Sequence, residues 1–338
     1  MSSNLIAAAA LLLCAGVIYW SCEYFVNGVE WVGVKAGVSQ NAVGTVLAAF
    51  GTALPESVVT FVAVLFGRTA AAQDIGVGAA LGGPLALATI AYPMVGVMLL
   101  LTRTQPAGQP IDLQRRRLTR DQGWFLLIFA CKFALGYLAF RAKPWLGWLF
   151  LAAYVLYTYA EMQAEGEGSE GAPEPLKLLR GRREPGWFHV GLQTLLALAV
   201  IFIASHLFVR ELQIVGPWLG LPAAVVSLVL TPVATELPET MNAIIWIRQG
   251  KHRLALSNIS GSMMVQATVP TAIGLLGTRW LFGPVLGVSA ALTMVSIAGL
   301  WLLLRCNKLT AERLSAFALL YLVFAIATWI LWRHGFVN

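Results

Sequence analysis

Gly51-Thr52-Ala53-Leu54-Pro55-Glu56-Ser57 and Ala234-Thr235-Glu236-Leu237-Pro238-Glu239-Thr240 are two copies of one signal, half a chain apart. Each lies inside a long apolar segment and puts a threonine, a proline and a glutamate where the middle of a bilayer would be. A carboxylate at membrane depth is costly and marks a functional position. A carboxylate repeated beside a helix-breaking residue in matching halves is the mark of a secondary transporter built from internal repeats.

The composition around the two motifs agrees. Of 338 residues, 58% are hydrophobic and only 12% charged, about half the charged share of a soluble domain. A bilayer can cover that much apolar surface where a soluble core of this length cannot. The apolar run from Leu5 has no basic stretch before it and no small-residue cleavage site after it, so it reads as a first spanning helix, not a removable signal. The net charge of +7 reads as loop basicity, and no nucleic-acid partner is expected. Cys14, Cys22, Cys131 and Cys306 show no metal or redox spacing and read as small buried apolar residues.

At about 20 apolar residues per crossing, the chain yields ten spans, near 5–26, 40–66, 75–101, 123–141, 144–162, 190–209, 217–247, 254–276, 281–304 and 312–332. The polar stretch 163–187, rich in Gly, Glu and Pro and then basic, reads as a flexible cytoplasmic linker. It leaves 1–162 as a first five-helix repeat and 188–338 as a second. With the N-terminus outside, 16 Lys and Arg fall in inward loops and 6 in outward ones, with Lys132 inside a span. That asymmetry orients the chain with both termini outside, as a multi-pass protein of the plasma (inner) membrane. Five spans is an odd number, so the second half enters upside down. Arg68 alone follows the Glu56 span, whereas Arg248, Lys251 and Arg253 follow the Glu239 span. The expected fold class is an all-α integral membrane protein of ten transmembrane helices in two inverted five-helix repeats, its site at the midplane.

Pro55 and Pro238 each remove a backbone donor, so each helix is expected to kink or unwind there and turn carbonyls toward a cavity. Thr52 and Glu56 are spaced i,i+4, as are Thr235 and Glu239, so each pair shares a helix face. Two carboxylates, two hydroxyls and carbonyls form a hard oxygen shell suited to Ca²⁺ or Na⁺. Glu56, Glu239, Thr52 and Thr235 are thus the expected metal-binding set. Asn258, Ser262 and Gln266 recur at i, i+4, i+8 on one face of the next second-half segment and extend that set, unless they only pack helix against helix.

These motifs resemble the sodium/calcium exchanger family of the cation/calcium exchanger superfamily. GTALPES and ATELPET resemble the GTSLPE core of its alpha repeats, Asn258-Ile-Ser-Gly-Ser-Met its GN-x-x-GSN segment, and Asp74-Ile75-Gly76-Val77-Gly78 the start of the corresponding first-half helix. The resemblance implies a ten-helix fold and exchange of Ca²⁺ for Na⁺ by alternating access, with no cofactor beyond the transported ions. It implies that Glu56 and Glu239 are the central carboxylates, Thr52 and Thr235 flanking ligands, and Asn258 and Ser262 second-repeat polar ligands. Gln266 stands where bacterial relatives often carry a further Asp or Asn.

Two departures stand out. The first-half positions matching Asn258, Ser262 and Gln266 are Ala79, Gly83 and Leu87, without a polar side chain, and Pro84 falls where the family usually has Asn. On that wall only backbone carbonyls at Gly82-Gly83-Pro84 are left to serve. Glu236 replaces a small residue and adds a third acid. Three close carboxylates do not all ionise without a cation, so one carries a proton when the site is empty. The partner ion is therefore Na⁺ or H⁺, and a transport-inactive relative acting as scaffold or sensor is a further reading. An intramembrane hydrolase is disfavoured, because neither HExxH nor a Ser/His pairing is present. Elsewhere, Glu23, Glu30 and Lys35 read as interface or groove residues, His206 as an interhelical hydrogen-bonding residue, Trp145, Trp148, Trp187, Trp280 and Trp332 as an interfacial belt, and Arg115–Arg117 as an inward-side signal.

Overall fold

The computed structural model describes residues 2–65, 70–103, 105–106, 108–111, 115–163, 173–179, 184–218, 220 and 226–336, without the side chains of 2–5, 54–56, 58–59, 62–63, 65, 70–76, 213, 217 and 227. The Pro55, Glu56 and Asp74 side chains, Arg68, and residues 164–172 and 180–183 of the expected linker lie outside the described residues.

Among the described residues the chain is helical and has no strand. The first half holds α1 (Ser2–Ala36), α2 (Gln40–Ala42), α3 (Ala49–Leu65), α4 (Ala70–Ala86), α5 (Tyr92–Thr102), α6 (Arg115–Leu135) and α7 (Gly147–Gln163). The second holds α8 (Trp187–Trp218), α9 (Thr231–Thr235), α10 (Leu237–Arg248), α11 (His252–Gly277), α12 (Pro284–Arg305), α13 (Ala311–Ala316) and α14 (Ala318–Arg333). Among the described residues six stretches are long and apolar enough to cross a membrane on length and composition alone: Ile6–Ala36, Val77–Thr102, Trp187–Gly216, His252–Gly277, Pro284–Arg305 and Ala311–Arg333.

The molecule wears its apolar residues outside. Leu12, Leu13, Val155, Leu156, Ile203 and Ile326 are exposed, while Thr52, Lys132, Glu161, Glu239, Asn242 and Asn258 are fully buried. An exterior this apolar around an interior this polar suits lipid, not water. Small residues set the closest helix approaches. A Cβ on Gly28 of α1 would stand 3.3 Å from the backbone of Thr194 on α8, and one on Gly82 of α4 would stand 2.7 Å from Pro232. Glycine at such contacts lets backbones meet.

Both motif helices begin with a π turn. Val43–Ala48 leads into α3, and Val226–Leu230 leads into α9. Each contains one residue more than an α-turn, a distortion common at functional sites. The two halves then differ. Around Pro55 the chain does not unwind, because α3 runs Ala49–Leu65 without interruption. Its irregularity is already taken up in the π turn before it. Around Pro238 the expected break is found: α9 stops at Thr235, Glu236 adopts a non-helical conformation, and α10 restarts with proline in its first turn, where a missing N–H costs nothing.

Other expectations are corrected. Cys14 and Cys22 are buried, but Cys131, on the outer face of α6, and Cys306, in the turn after α12, are exposed. His206 is also on an exposed face. Trp145, Trp148 and Trp187 are exposed, whereas Trp280 is 1% exposed and turned inward by a left-handed backbone, φ 47°. Glu30 is buried, accepting from Lys251 Nζ at 2.5 Å and Trp246 Nε1 at 2.7 Å, and Glu23 pairs with Lys177 at 2.9 Å.

Candidate functional site

The two motifs meet across the halves. Thr52, one turn before Glu56 on α3, is fully buried and lies against the Glu239 carboxylate on α10. Its hydroxyl donates to Ala48 O at 3.1 Å and also faces the Glu239 carboxylate. Among the described residues neither Glu239 carboxylate oxygen, both of them buried, has a hydrogen-bond donor within bonding geometry. A buried polar atom without a partner is rare and calls for an explanation, an absent ion among them. The Glu239 backbone carbonyl receives a long bond from Asn258 Nδ2, 3.4 Å.

The polar face of α11 continues the same set. Asn258, Ser262 and Gln266 are buried to 1% exposure or less. Asn258 Oδ1, Ser262 Oγ and Gln266 Oε1 have no hydrogen-bond partner among the described residues. Their i, i+4, i+8 spacing stacks three open oxygens along one helix face. At the far end, Gln266 Nε2 donates to Glu236 Oε1 at 2.7 Å. Glu236 owes its position to the break between α9 and α10, where its backbone leaves the helix. Thr235 stands apart from this set in its bonding: half-buried, it turns its hydroxyl back onto Pro232 O at 3.2 Å.

The first-half wall has a use that its residue types alone do not reveal. A Cβ on Gly83 would stand 2.6 Å from Glu236 Oε1 and collide with Gln266 Oε1. The missing side chain makes room for the Glu236–Gln266 pair of the other half. Likewise a Cβ on Gly261 of α11 would stand 2.6 Å from Thr45 Cα, so α11 lies directly on the first π turn. Glu56 belongs to α3, but its side chain is outside the described residues, so its distance to Glu239 is not part of this geometry.

Two groups escape a reading of the motifs. Asn242, one turn beyond Glu239, is fully buried with both amide atoms unpartnered. Its signal was an amide at i+3 from the acid, with no match in the first motif, where Val59 stands. Glu161, at the end of α7, meets the π turn that precedes the first motif. It accepts from Arg117 Nε at 3.0 Å, also binds Arg120, and shares with Asn41 O, at 2.9 Å, the proton of Thr45 Oγ1, which stands 3.2 Å from it. A lone acid ending an apolar run opposite an arginine run was its signal. Arg117 thus does more than orient the chain.

Among the described residues, no group of three or more His, Cys, Asp and Glu side chains gathers to hold a metal. What does gather is a set of oxygens from one carboxylate, two amides and a hydroxyl, with a second carboxylate beside them. Such donors fit a hard cation.

The comparisons with known proteins point the same way. The family model described as sodium/calcium exchanger protein matches residues 6–163 and 189–332. The putative antiporter CaxA of Alkalimonas amylolytica is 26% identical over 279 residues, covering 80% of each chain. The sodium/calcium exchanger MaX1 of Methanosarcina acetivorans is 25% identical over 312 residues, covering 81% of this chain and 83% of that one. In fold, the chain superimposes on the sodium-calcium exchanger NCX_Mj with a TM-score of 0.74 at 19% identity, covering 96% of this chain and 99% of the other. The two matched segments fall on the two halves that carry the motifs and leave out the polar stretch between them, and on that evidence the chain belongs to the sodium/calcium exchanger family.

Proposed function

We propose that this protein is a secondary active cation antiporter that exchanges Ca²⁺, most simply for Na⁺, by alternating access. The observation that carries the reading is the run of buried, unpartnered oxygens on Glu239, Asn258, Ser262 and Gln266. Stripping water from a divalent ion requires oxygen donors and compensating negative charge. Glu239, Glu236 and, on the same sequence logic, Glu56 supply the charge. Thr52 and Thr235 flank the acids, and Asn242 joins the ligands. The paired motifs, the matching π turns and the 16-to-6 basic split support ten spans in two inverted repeats with both termini outside. The split of the family match into 6–163 and 189–332 supports the domain boundaries 1–162, 163–187 and 188–338. No resident cofactor enters this reading, because Ca²⁺ and Na⁺ are cargo.

A specific observation keeps a second partner ion in view. Glu236 is a third acid, held by Gln266, where the family usually carries a small residue. An acid in place of a neutral hydroxyl favours protons as the coupling ion. The test is ⁴⁵Ca²⁺ uptake into proteoliposomes under an imposed Na⁺ gradient and, separately, an imposed H⁺ gradient. Uptake driven by Na⁺ alone supports Ca²⁺/Na⁺ exchange, and uptake driven by H⁺ alone supports Ca²⁺/H⁺ exchange. Uptake with neither, from protein that inserts correctly, ends the antiporter reading in favour of a scaffold or sensor.

Gly83 gives a sharper expectation. Gly83→Ala should drive the Glu236–Gln266 pair off the α4 wall, because a methyl group has no space there. Overpacking of this kind costs about 1–3 kcal/mol, so Ca²⁺ binding should weaken about fivefold or more where that cost falls on the occupied site. Equilibrium ⁴⁵Ca²⁺ binding to purified protein checks it. Unchanged affinity would mean the pair takes no part in holding the ion.

A further inference from the structure

Lys132 lies inside α6 and is fully buried. A proline within a helix has no N–H, so the carbonyl four residues earlier loses its partner. Pro84 within α4 frees Ala80 O, and Pro270 within α11 frees Gln266 O. The Lys132 ammonium takes both of these carbonyls, at 2.6 and 3.2 Å. One comes from each half of the chain. The ring faces of Phe129 and Trp280 stand 5.2 and 5.9 Å from the same nitrogen. Trp280 is fixed there by its own N–H on Lys132 O at 3.4 Å and by the space left at Gly274. Backbone carbonyls and aromatic faces are groups that attract a small monovalent cation. Gln266 then links this place to the candidate site, since its backbone holds the ammonium while its side chain holds Glu236 Oε1 at 2.7 Å.

We propose that Lys132 is a tethered monovalent cation: its ammonium fills a carbonyl-lined cation site between α4 and α11 and offsets the negative charge of Glu236, to which Gln266 links it. The second clause rests on the antiporter reading of that carboxylate, while the first stands without it. The proposal also accounts for the blank first-half wall. Ala79, Gly83 and Leu87 need supply no ligand where the positive charge arrives covalently attached, from a third helix.

The test uses the purified full-length protein in detergent, with thermal unfolding as the readout. In choline chloride, Lys132→Ala should melt about 5–10 °C below the parent, because two buried carbonyls lose their donor. Replacing choline with K⁺ or ethylammonium should return at least half of that loss, and neither should move the parent. A cation-selective rescue is not expected of a residue that merely packs, so absence of rescue overturns the tethered-cation assignment. For the charge offset, Lys132→Ala combined with Glu236→Gln should lose clearly less than the sum of the two single losses. Additive losses overturn that part. If Lys132→Ala does not fold in choline, folding restored by K⁺, by ethylammonium or by Glu236→Gln supports the proposal, and failure in all three overturns it. None of these readouts needs transport, so missing ⁴⁵Ca²⁺ flux in the parent would strike the antiporter reading alone.

Discussion

Glu239→Gln is expected to abolish Ca²⁺ uptake into proteoliposomes, to about 1% of the parent or less, while the protein still inserts and purifies. The glutamine keeps the shape and nearly the volume of the glutamate but removes its charge. Among the described residues both oxygens of Glu239 are buried without a hydrogen-bond donor, and the Thr52 hydroxyl beside them carries no charge, so a cation is what would neutralise the carboxylate. A divalent ion at that depth has in turn lost its water and depends on fixed negative charge. The loss should exceed that from Asn258→Ala or Ser262→Ala, since each of those removes one neutral oxygen and leaves the charge in place. Each neutral ligand is worth a hydrogen bond's order of energy, about 1–2 kcal/mol. If Glu239→Gln transports at parental rates, the cation does not pass this carboxylate, and the site assignment fails with it.

The second large effect is on stability. Glu161→Ala is expected to cost about 3–5 kcal/mol, the penalty for removing one partner from a buried ion pair. The reason lies with Arg117, not Arg120. The Arg117 side chain is only 12% exposed, so without Glu161 its guanidinium keeps a 3.3 Å bond to a backbone carbonyl and the nearby charge of Asp121 but loses its ion pair. Arg120 is 46% exposed and can return to water. Arg120→Ala should therefore cost no more than about 1 kcal/mol. Thr45 also loses the acid, and Thr45 sits in the π turn that α11 packs upon. Thermal unfolding of the two variants in one detergent checks the contrast. Equal losses would show that the Glu161 cluster is solvated and does not hold α7 to the first motif.

How much of this could be read from the residues depends on how local the cause is. Membrane class and the two acid motifs are local, since apolar length and an acid beside a proline need no knowledge of neighbours. The α11 face was legible for the same reason: Asn258, Ser262 and Gln266 share a face by spacing alone. The break at Glu236 followed from Pro238. Its counterpart at Pro55 did not, because the first-half chain takes up its distortion earlier, in a π turn with no proline in it. Gly83 looked like a lost ligand because its role is to be small against Glu236 and Gln266, which lie more than 150 positions away in sequence. Lys132 looked like a stray charge in a span for the same reason. Its partners are carbonyls, which every residue has, and only the placement of Pro84 and Pro270 makes two of them available.

The π turns at Val43–Ala48 and Val226–Leu230 also bear on how such a chain tolerates change in length. A π turn is an α-helix that has absorbed one inserted residue. Each residue advances a helix by about 100°, so removing one from Val43–Ala48 would rephase everything on one side of the deletion against everything on the other. Thr52 would swing off Glu239, or Asn41 and Ser39 would leave their own contacts, even though no motif residue had been touched. The two motifs are thus held in phase by an excess of one residue in front of each. For this chain a one-residue deletion in the unremarkable stretch Val43-Gly44-Thr45-Val46 is expected to be as damaging as a substitution in the glutamate motif itself.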